Sequence, residues 1–253
     1  MQNIRLTLQY DGTRYLGWQR PKKDGFEKTV SYKVTTALSR MTGEDITLYP
    51  GAKTDPGVHA RSQTVSFLTG SSLSPEQIRA ELNRFLPQDI AVLSSGTAPE
   101  RFRADLNAKS RTYGYRICTS PVYDIFTAAF TACISPCPDI SRMEAAAALL
   151  TGTHDFRFFS ASRGKKGTGK NILDIRFEYE KESCFPGGGN PDTLVISLTA
   201  DDFLSQMPQR IIGTLLEIGM HKRAADEIPD IFAGKACSSS CDAKGLLLTD
   251  VKY

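Results

Sequence analysis

Two successive stretches of this chain carry the same order of strand and helix signals, and that repetition limits the fold more than any other feature. In the first stretch Ile4, Leu6, Leu8 and Tyr10 alternate with Arg5, Thr7 and Gln9, the pattern of a half-buried strand. Val30, Val34, Leu38 and Met41 then recur at helical spacing, and Gly43 closes that helix. Short strands are expected over residues 46–49 and 63–68. Ser74, Pro75 and Gln77 form a helix start, with Ile78, Leu82 and Phe85 inward, and a strand begins at residue 90. The second stretch repeats the series. A strand is expected over 109–119. A helix capped by Asp139 follows, with Ile140, Met143, Ala147 and Leu150 inward. Strands over 172–179 and 194–198 flank a turn-rich segment with Gly187, Gly188 and Gly189. Next come a helix with Met207, Ile211, Leu215 and Ile218 inward, a short helix near Ile228, and a strand over 246–251.

Each stretch therefore reads β-α-β-β-α-β, the ferredoxin-like order. The expected class is α+β: a duplicated ferredoxin-like pair, with antiparallel sheets, helices on one face of each, and a cleft between the halves. The expected domains are 1–104 and 105–253, with the boundary near 99–103. A chain of 253 residues that is 40% hydrophobic can fill such cores.

Charge and cysteines limit the partners. Residues 1–104 hold 14 Lys and Arg against 10 Asp and Glu, and the remainder hold 17 against 18, so the basic excess lies in the first half. A polyanion would meet that half. No apolar run approaches the roughly 18 residues of a membrane span, and the N-terminus alternates like a strand rather than forming a signal-peptide block. The expectation is a cytoplasmic protein with no membrane partner, whose six cysteines are reduced. Cys133/Cys137 and Cys237/Cys241 have C-x3-C spacing. About a hundred residues separate the pairs and neither has a neighbouring histidine, so ordinary thiols are favoured over a zinc site.

Two loops carry candidate chemistry. Residues 164–170, Gly-Lys-Lys-Gly-Thr-Gly-Lys, approach a phosphate-binding loop, but Asn171 replaces the metal-holding hydroxyl and a strand follows instead of a helix. A basic loop is the better reading. Lys165, Lys166 and Lys170 can touch phosphate backbone there, and a solvated loop fits equally well. The second loop, residues 51–60, is more informative. Asp55 before Pro56 and Gly57 is by itself a turn former, yet the loop also carries Lys53 and His59, and Arg61 follows.

On these motifs the chain resembles the TruA-type tRNA pseudouridine synthases along nearly its whole length. The family's opening, Y-D-G-x-x-Y-x-G-W-Q-R, is matched by residues 10–20. Its catalytic loop, G-R-T-D-A-G-V-H-A, is matched by residues 52–60, and A-x-S-R-x-Y-x-Y by residues 108–115. Residues 243–246 and 251–253 also look like the family's close. The resemblance implies a homodimer acting on tRNA without metal or organic cofactor. It implies Asp55 as a nucleophile attacking uridine, at ribose C1′ or at the uracil ring, and Tyr113 as the residue stacking on the base. Lys53, His59, Arg61, Arg14, Arg20 and Arg111 take supporting or RNA-binding places. The implied activity is isomerisation of uridine in the anticodon stem-loop.

The chain departs from the family in three places. Lys53 replaces an arginine, keeping charge but losing the bidentate fork. Asp105 stands at a usually basic position. In residues 203–210 the family arginine that pairs with the catalytic carboxylate is replaced by Gln209, with Arg210 one place on. A neutral amide gives a carboxylate less support than a guanidinium. Neighbouring helix positions point about 100° apart, so Arg210 replaces the arginine only if Pro208 re-aims the helix start. The expectation is that it does. The alternative is a catalytically weakened RNA-binding paralogue, or a synthase with another RNA target. A metal or redox protein built on the cysteine pairs is a third reading.

Overall fold

The computed structural model describes residues 1–19, 24–120, 125–162, 167–180 and 193–253. The chain forms two compact units, one of residues 1–109 with 248–253 and the other of residues 110–247. Both mix helices with mainly antiparallel strands.

In the first unit the elements run β1 (Gln2–Tyr10), α1 (Val30–Thr42), β2 (Tyr49–Pro50), β3 (His59–Thr69), α2 (Pro75–Phe85), β4 (Ile90–Ala98) and α3 (Ala104–Asn107). The strand order is β4-β1-β3-β10, where β10 is Leu246–Lys252, and β2 adds to β3. Alternation places Ile4, Leu6, Leu8 and Tyr10 in the core from β1, with Val65 and Phe67 from β3. The helices bury Val30, Val34, Ala37 and Leu38 from α1, and Ile78 and Leu82 from α2. Ser74 and Gln77 form the expected reciprocal cap.

Two local expectations are corrected. The strand expected over 46–49 is only Tyr49–Pro50, paired with Ser66 and Val65. Phe85 is not core. It is the last residue of α2, Leu86 beyond it turns inward instead, and the Phe85 ring lies 43% exposed under the Arg40 guanidinium at 5.1 Å.

The closing residues belong to the first unit, unlike the halves expected from the sequence. Lys109 N–H donates to the Lys252 carbonyl at 2.8 Å, the Tyr253 hydroxyl to the Ala104 carbonyl at 3.2 Å, and the Phe102 and Tyr253 rings meet at 5.1 Å.

The second unit contains β5 (Ser110–Cys118), β6 (Ala132–Cys133), α4 (Ile140–Leu150), β7 (Gly152–Asp155), β8 (Gly169–Tyr179), β9 (Thr193–Ala200), α5 (Met207–Gly219) and α6 (Ile228–Phe232). Its strands lie in the order β5-β9-β8-β7, with β6 parallel to the end of β5. The α5 face predicted from spacing, Met207, Ile211, Leu215 and Ile218, is fully buried. On α4, Ile140 is half-buried at the first position, and Ala146 joins Met143, Ala147 and Leu150 inside. No helix among the described residues is long and apolar enough to cross a membrane.

Candidate active site

The loop between β2 and β3 is locked from several sides by backbone and buried polar groups of its own unit. Gln63, fully buried on β3, clamps Ala52 with both ends of its amide: Nε2 donates to the Ala52 carbonyl at 2.6 Å and Oε1 accepts from Ala52 N–H at 3.2 Å. Thr54 is held next. Its hydroxyl meets the Tyr10 phenol at 2.8 Å, and its carbonyl accepts from Trp18 N–H at 2.9 Å. Burial pushes the Tyr10 phenol up, so it serves as a neutral hydrogen-bonding group. Gly57 N–H reaches the Tyr15 carbonyl, and Val58 N–H the Asp55 carbonyl, each at 3.2 Å.

Two glycines of the 10–19 segment make this closeness possible. A Cβ at Gly12 would stand 2.1 Å from the Val58 carbonyl oxygen. At Gly17, where φ is +86°, it would stand 2.6 Å from Thr54 O and 3.1 Å from the Asp55 carbonyl carbon. The segment therefore lies directly on the backbone of Asp55, whose residue is half-buried, while Lys53 and Arg61 are exposed.

His59 is almost wholly buried, and its Nδ1 accepts from Gly12 N–H at 3.0 Å. Asp11 Oδ1 stands 3.1 Å from the same nitrogen, which would suit a protonated ring. The backbone amide can only donate, and that Asp11 oxygen already accepts from the Thr13 amide and hydroxyl. We therefore assign Nδ1 as the acceptor, with the ring proton on Nε2. The segment's other end is tied to Asp89, whose carboxylate accepts from Tyr15 Oη at 2.6 Å and from Arg14 at 2.5 and 3.0 Å. Desolvation raises the Asp89 pKa, but the Tyr15 and Arg14 bonds outweigh it and hold the group below its ordinary value.

In the second unit Tyr113 lies buried on β5, opposite Leu198 of β9, and the Phe203 ring meets it edge-on at 5.2 Å. The connection from β9 to α5 carries Phe203 and ends at Gln206, a left-handed residue with φ of 58°. Pro208 stands in the first turn of α5, as its fixed φ favours. Gln209 follows, 7% exposed, with its Oε1 buried and without a hydrogen-bond partner. Arg210 sends Nη1 toward the Ser238 carbonyl and hydroxyl at 3.4 and 3.3 Å, while its buried Nε makes no hydrogen bond.

The comparisons bear on the chain as a whole. A family model described as tRNA pseudouridine synthase matches residues 146–253. A relative from Clostridium tetani, "tRNA pseudouridine synthase A 2", is 34% identical across all of this chain and 99% of its own length. "tRNA pseudouridine synthase A" of Acetivibrio thermocellus is 35% identical, with both chains covered completely. The chain belongs to the tRNA pseudouridine synthase family. It is accordingly an isomerase.

The sequence-predicted residues of this isomerase fall into three groups. Asp55, Lys53, His59, Arg14 and Arg61 lie on or beside the locked loop of the first unit. There His59 braces the loop from inside, and Arg14, though exposed, is engaged by Asp89. Tyr113, Arg111, Gln209, Arg210 and Lys170 belong to the second unit. Lys170, expected at phosphate, has its ammonium 2.6 Å from Asp202. Arg111, 7% exposed, donates to the Asp201 carbonyl and has Nε 3.6 Å from the same Asp202. Arg20, Lys165 and Lys166 lie outside the described residues.

Cys241 donates no charge: burial pushes its thiol up to about 12, beside the Tyr115 hydroxyl. Among the described residues no three His, Cys, Asp or Glu side chains gather as a metal site. Sequence reasoning missed Gln63, Tyr10 and Gly17 as loop-holding groups. Tyr10 and Gly17 were legible only as an inward strand residue and as part of the opening motif, and Gln63 only as the start of a strand.

Proposed function

We propose that this enzyme isomerises uridine in the anticodon stem-loop of tRNA, with Asp55 as nucleophile and Tyr113 stacked on the target base. The relatives' printed activity on tRNA supports the substrate class. The observation that carries the assignment of Asp55 is the interlock just described: a half-buried residue on a backbone clamped by Gln63, Tyr10, Trp18 and Gly17. A nucleophile held this rigidly loses little in orientation on the way to the transition state. The reaction conserves atoms. The N1–C1′ bond breaks, the base turns, C5 bonds to C1′, and a proton passes from C5 to N1. A carboxylate that bonds covalently and leaves again divides this into easier steps, and the base must be unstacked before Asp55 reaches it.

The same family reading carries finer proposals. The two units form a duplicated ferredoxin-like pair, the enzyme is a cytoplasmic homodimer, and Lys53, Arg61, Arg20, Lys165 and Lys166 neutralise phosphates. Arg210 supports the Asp55 carboxylate in place of the family arginine, from a side chain whose Nη1 lies at Ser238 and whose buried Nε makes no hydrogen bond. One observation favours the second reading, an RNA-binding paralogue with weakened catalysis: the family arginine position is filled by a buried neutral amide, Gln209, with an unpaired acceptor. Pseudouridine mapping of total RNA from cells with and without the protein decides between them. Loss of modification at anticodon stem-loop uridines is the expected result. An unchanged map leaves the binding reading, and a loss elsewhere redirects the substrate.

A further inference from the structure

We infer that Asp202 is a positioning residue for the isomerisation, fixing the ring of Tyr113 through Phe203. The inference rests on the reading of Tyr113 as the residue that stacks on the base. Asp202 lies in the connection between β9 and α5, where both carboxylate oxygens face cations from different strands. Lys170 Nζ, from the start of β8, is 2.6 Å from Oδ2, and Arg111 Nε, from the start of β5, is 3.6 Å from Oδ1. The Lys170 and Arg111 side chains are only 15% and 9% exposed, whereas Asp202 is 46% exposed. The cations are thus built into the unit, and the carboxylate is laid over them.

The neighbouring Asp201 adds a second tie. Its Oδ1 accepts from Asn171 N–H at 3.0 Å, its carbonyl accepts from Arg111, and its N–H donates to the Asn171 carbonyl at 3.1 Å. The next residue is Phe203, edge-on to Tyr113 at 5.2 Å and 90°. Arg111 and Tyr113 are two apart on β5 and so project from the same face. Asp202 and Phe203 meet them in turn, the carboxylate on the arginine and the ring on the tyrosine. Farther on, the Ser205 carbonyl accepts from Ala161 N–H at 3.0 Å before the left-handed Gln206 opens α5. The two cations hold the part of the connection that carries Asp202 and Phe203. Without the carboxylate the ion pairs from Lys170 and Arg111 to this connection are lost, the connection relaxes, and the edge that packs on the Tyr113 ring moves with it.

The test is kinetic and uses the full-length enzyme on tRNA. Asp202→Ala and Asp202→Asn are expected to lower kcat by about tenfold, the scale of a sub-ångström misplacement, with KM within about twofold of the parent. Asp202→Glu, which keeps a carboxylate, recovers most of the rate. Phe203→Leu lowers kcat similarly, and adding Asp202→Ala to it lowers kcat little further, because both act through one contact. Thermal unfolding of each variant separates misfolding from mispositioning. Additive losses, an effect confined to KM, or an Asp202→Asn enzyme as fast as the parent would overturn the inference. Tyr113→Leu, measured alongside, separates the two layers. A fast Tyr113→Leu enzyme overturns the stacking reading and the inference together. A slow one beside an unaffected Asp202→Ala overturns the inference alone.

Discussion

Replacing Gly17 with alanine adds one methyl group against the backbone that carries Asp55. The added Cβ would stand 2.6 Å from Thr54 O, 3.1 Å from Asp55 C and 3.2 Å from Pro56 N, all main-chain atoms that cannot swing aside. Relief requires the loop to retreat by on the order of half an ångström or more, given normal contact distances of about 3.5 Å. Two costs combine. A left-handed alanine at φ +86° costs about 1–2 kcal/mol, and forcing a methyl into a packed contact costs about 1–3 kcal/mol. Their sum, about 2–5 kcal/mol, lowers Tm by about 4–20 °C for a chain of this size. The retreat also misplaces the proposed nucleophile, and a 1 Å error can cost about a hundredfold in rate, so a loss of about tenfold or more is expected.

Single-turnover conversion of uridine in a tRNA transcript, read by mass spectrometry, measures the rate, and calorimetry measures the stability. Gly43→Ala is the control. Gly43 also has positive φ, +74°, but a Cβ there meets nothing within 4 Å, so only the backbone cost of about 1–2 kcal/mol applies and activity is retained. A Gly17→Ala enzyme indistinguishable from the Gly43→Ala enzyme in both rate and Tm would show that the contact does not hold the loop.

Asp55→Asn abolishes isomerisation while tRNA affinity, measured by filter binding, stays near that of the parent; near-normal turnover removes Asp55 as the nucleophile. Asp89 has its folded pKa depressed, so the stability it contributes is fully present above the ordinary carboxylate value of about 3.9 and disappears as pH falls through the lower folded value. The stability difference between the parent and Asp89→Asn, followed by denaturant titration, should therefore shrink as pH is lowered through that window; a constant difference contradicts it. Arg210→Ala loses most turnover and Gln209→Ala little; the reverse, with a large gain from Gln209→Arg, shows that the supporting cation is missing.

The sequence pattern was most informative where one element explains itself. The spacing of Val30, Val34 and Leu38 and that of Met207, Ile211, Leu215 and Ile218 mark helix faces that the cores confirm. The same spacing misled at Phe85, because periodicity carries no information about where a helix ends and which neighbour turns in. The loop around Asp55 stood out by its charge and turn residues. What fixes it did not, because the Tyr10–Thr54, Gly12–His59 and Gly17–Asp55 contacts join residues about forty apart. Lys170 looked like a free phosphate contact because nothing in a linear reading places it beside Asp202, 32 residues later.

The assignment of residues 248–253 to the first unit has a consequence for how the protein is made. The ribosome finishes residues 1–109 and must then add 138 more before Leu248 appears. At about 5–20 residues per second that interval lasts about 7–28 s. During it β3 lacks β10 and, among the described strands, is met on that flank by the two-residue β2, leaving an open strand edge that invites pairing with another chain. The loop that carries Asp55 leads directly into that strand. The unit carrying the proposed nucleophile is thus begun first and closed last.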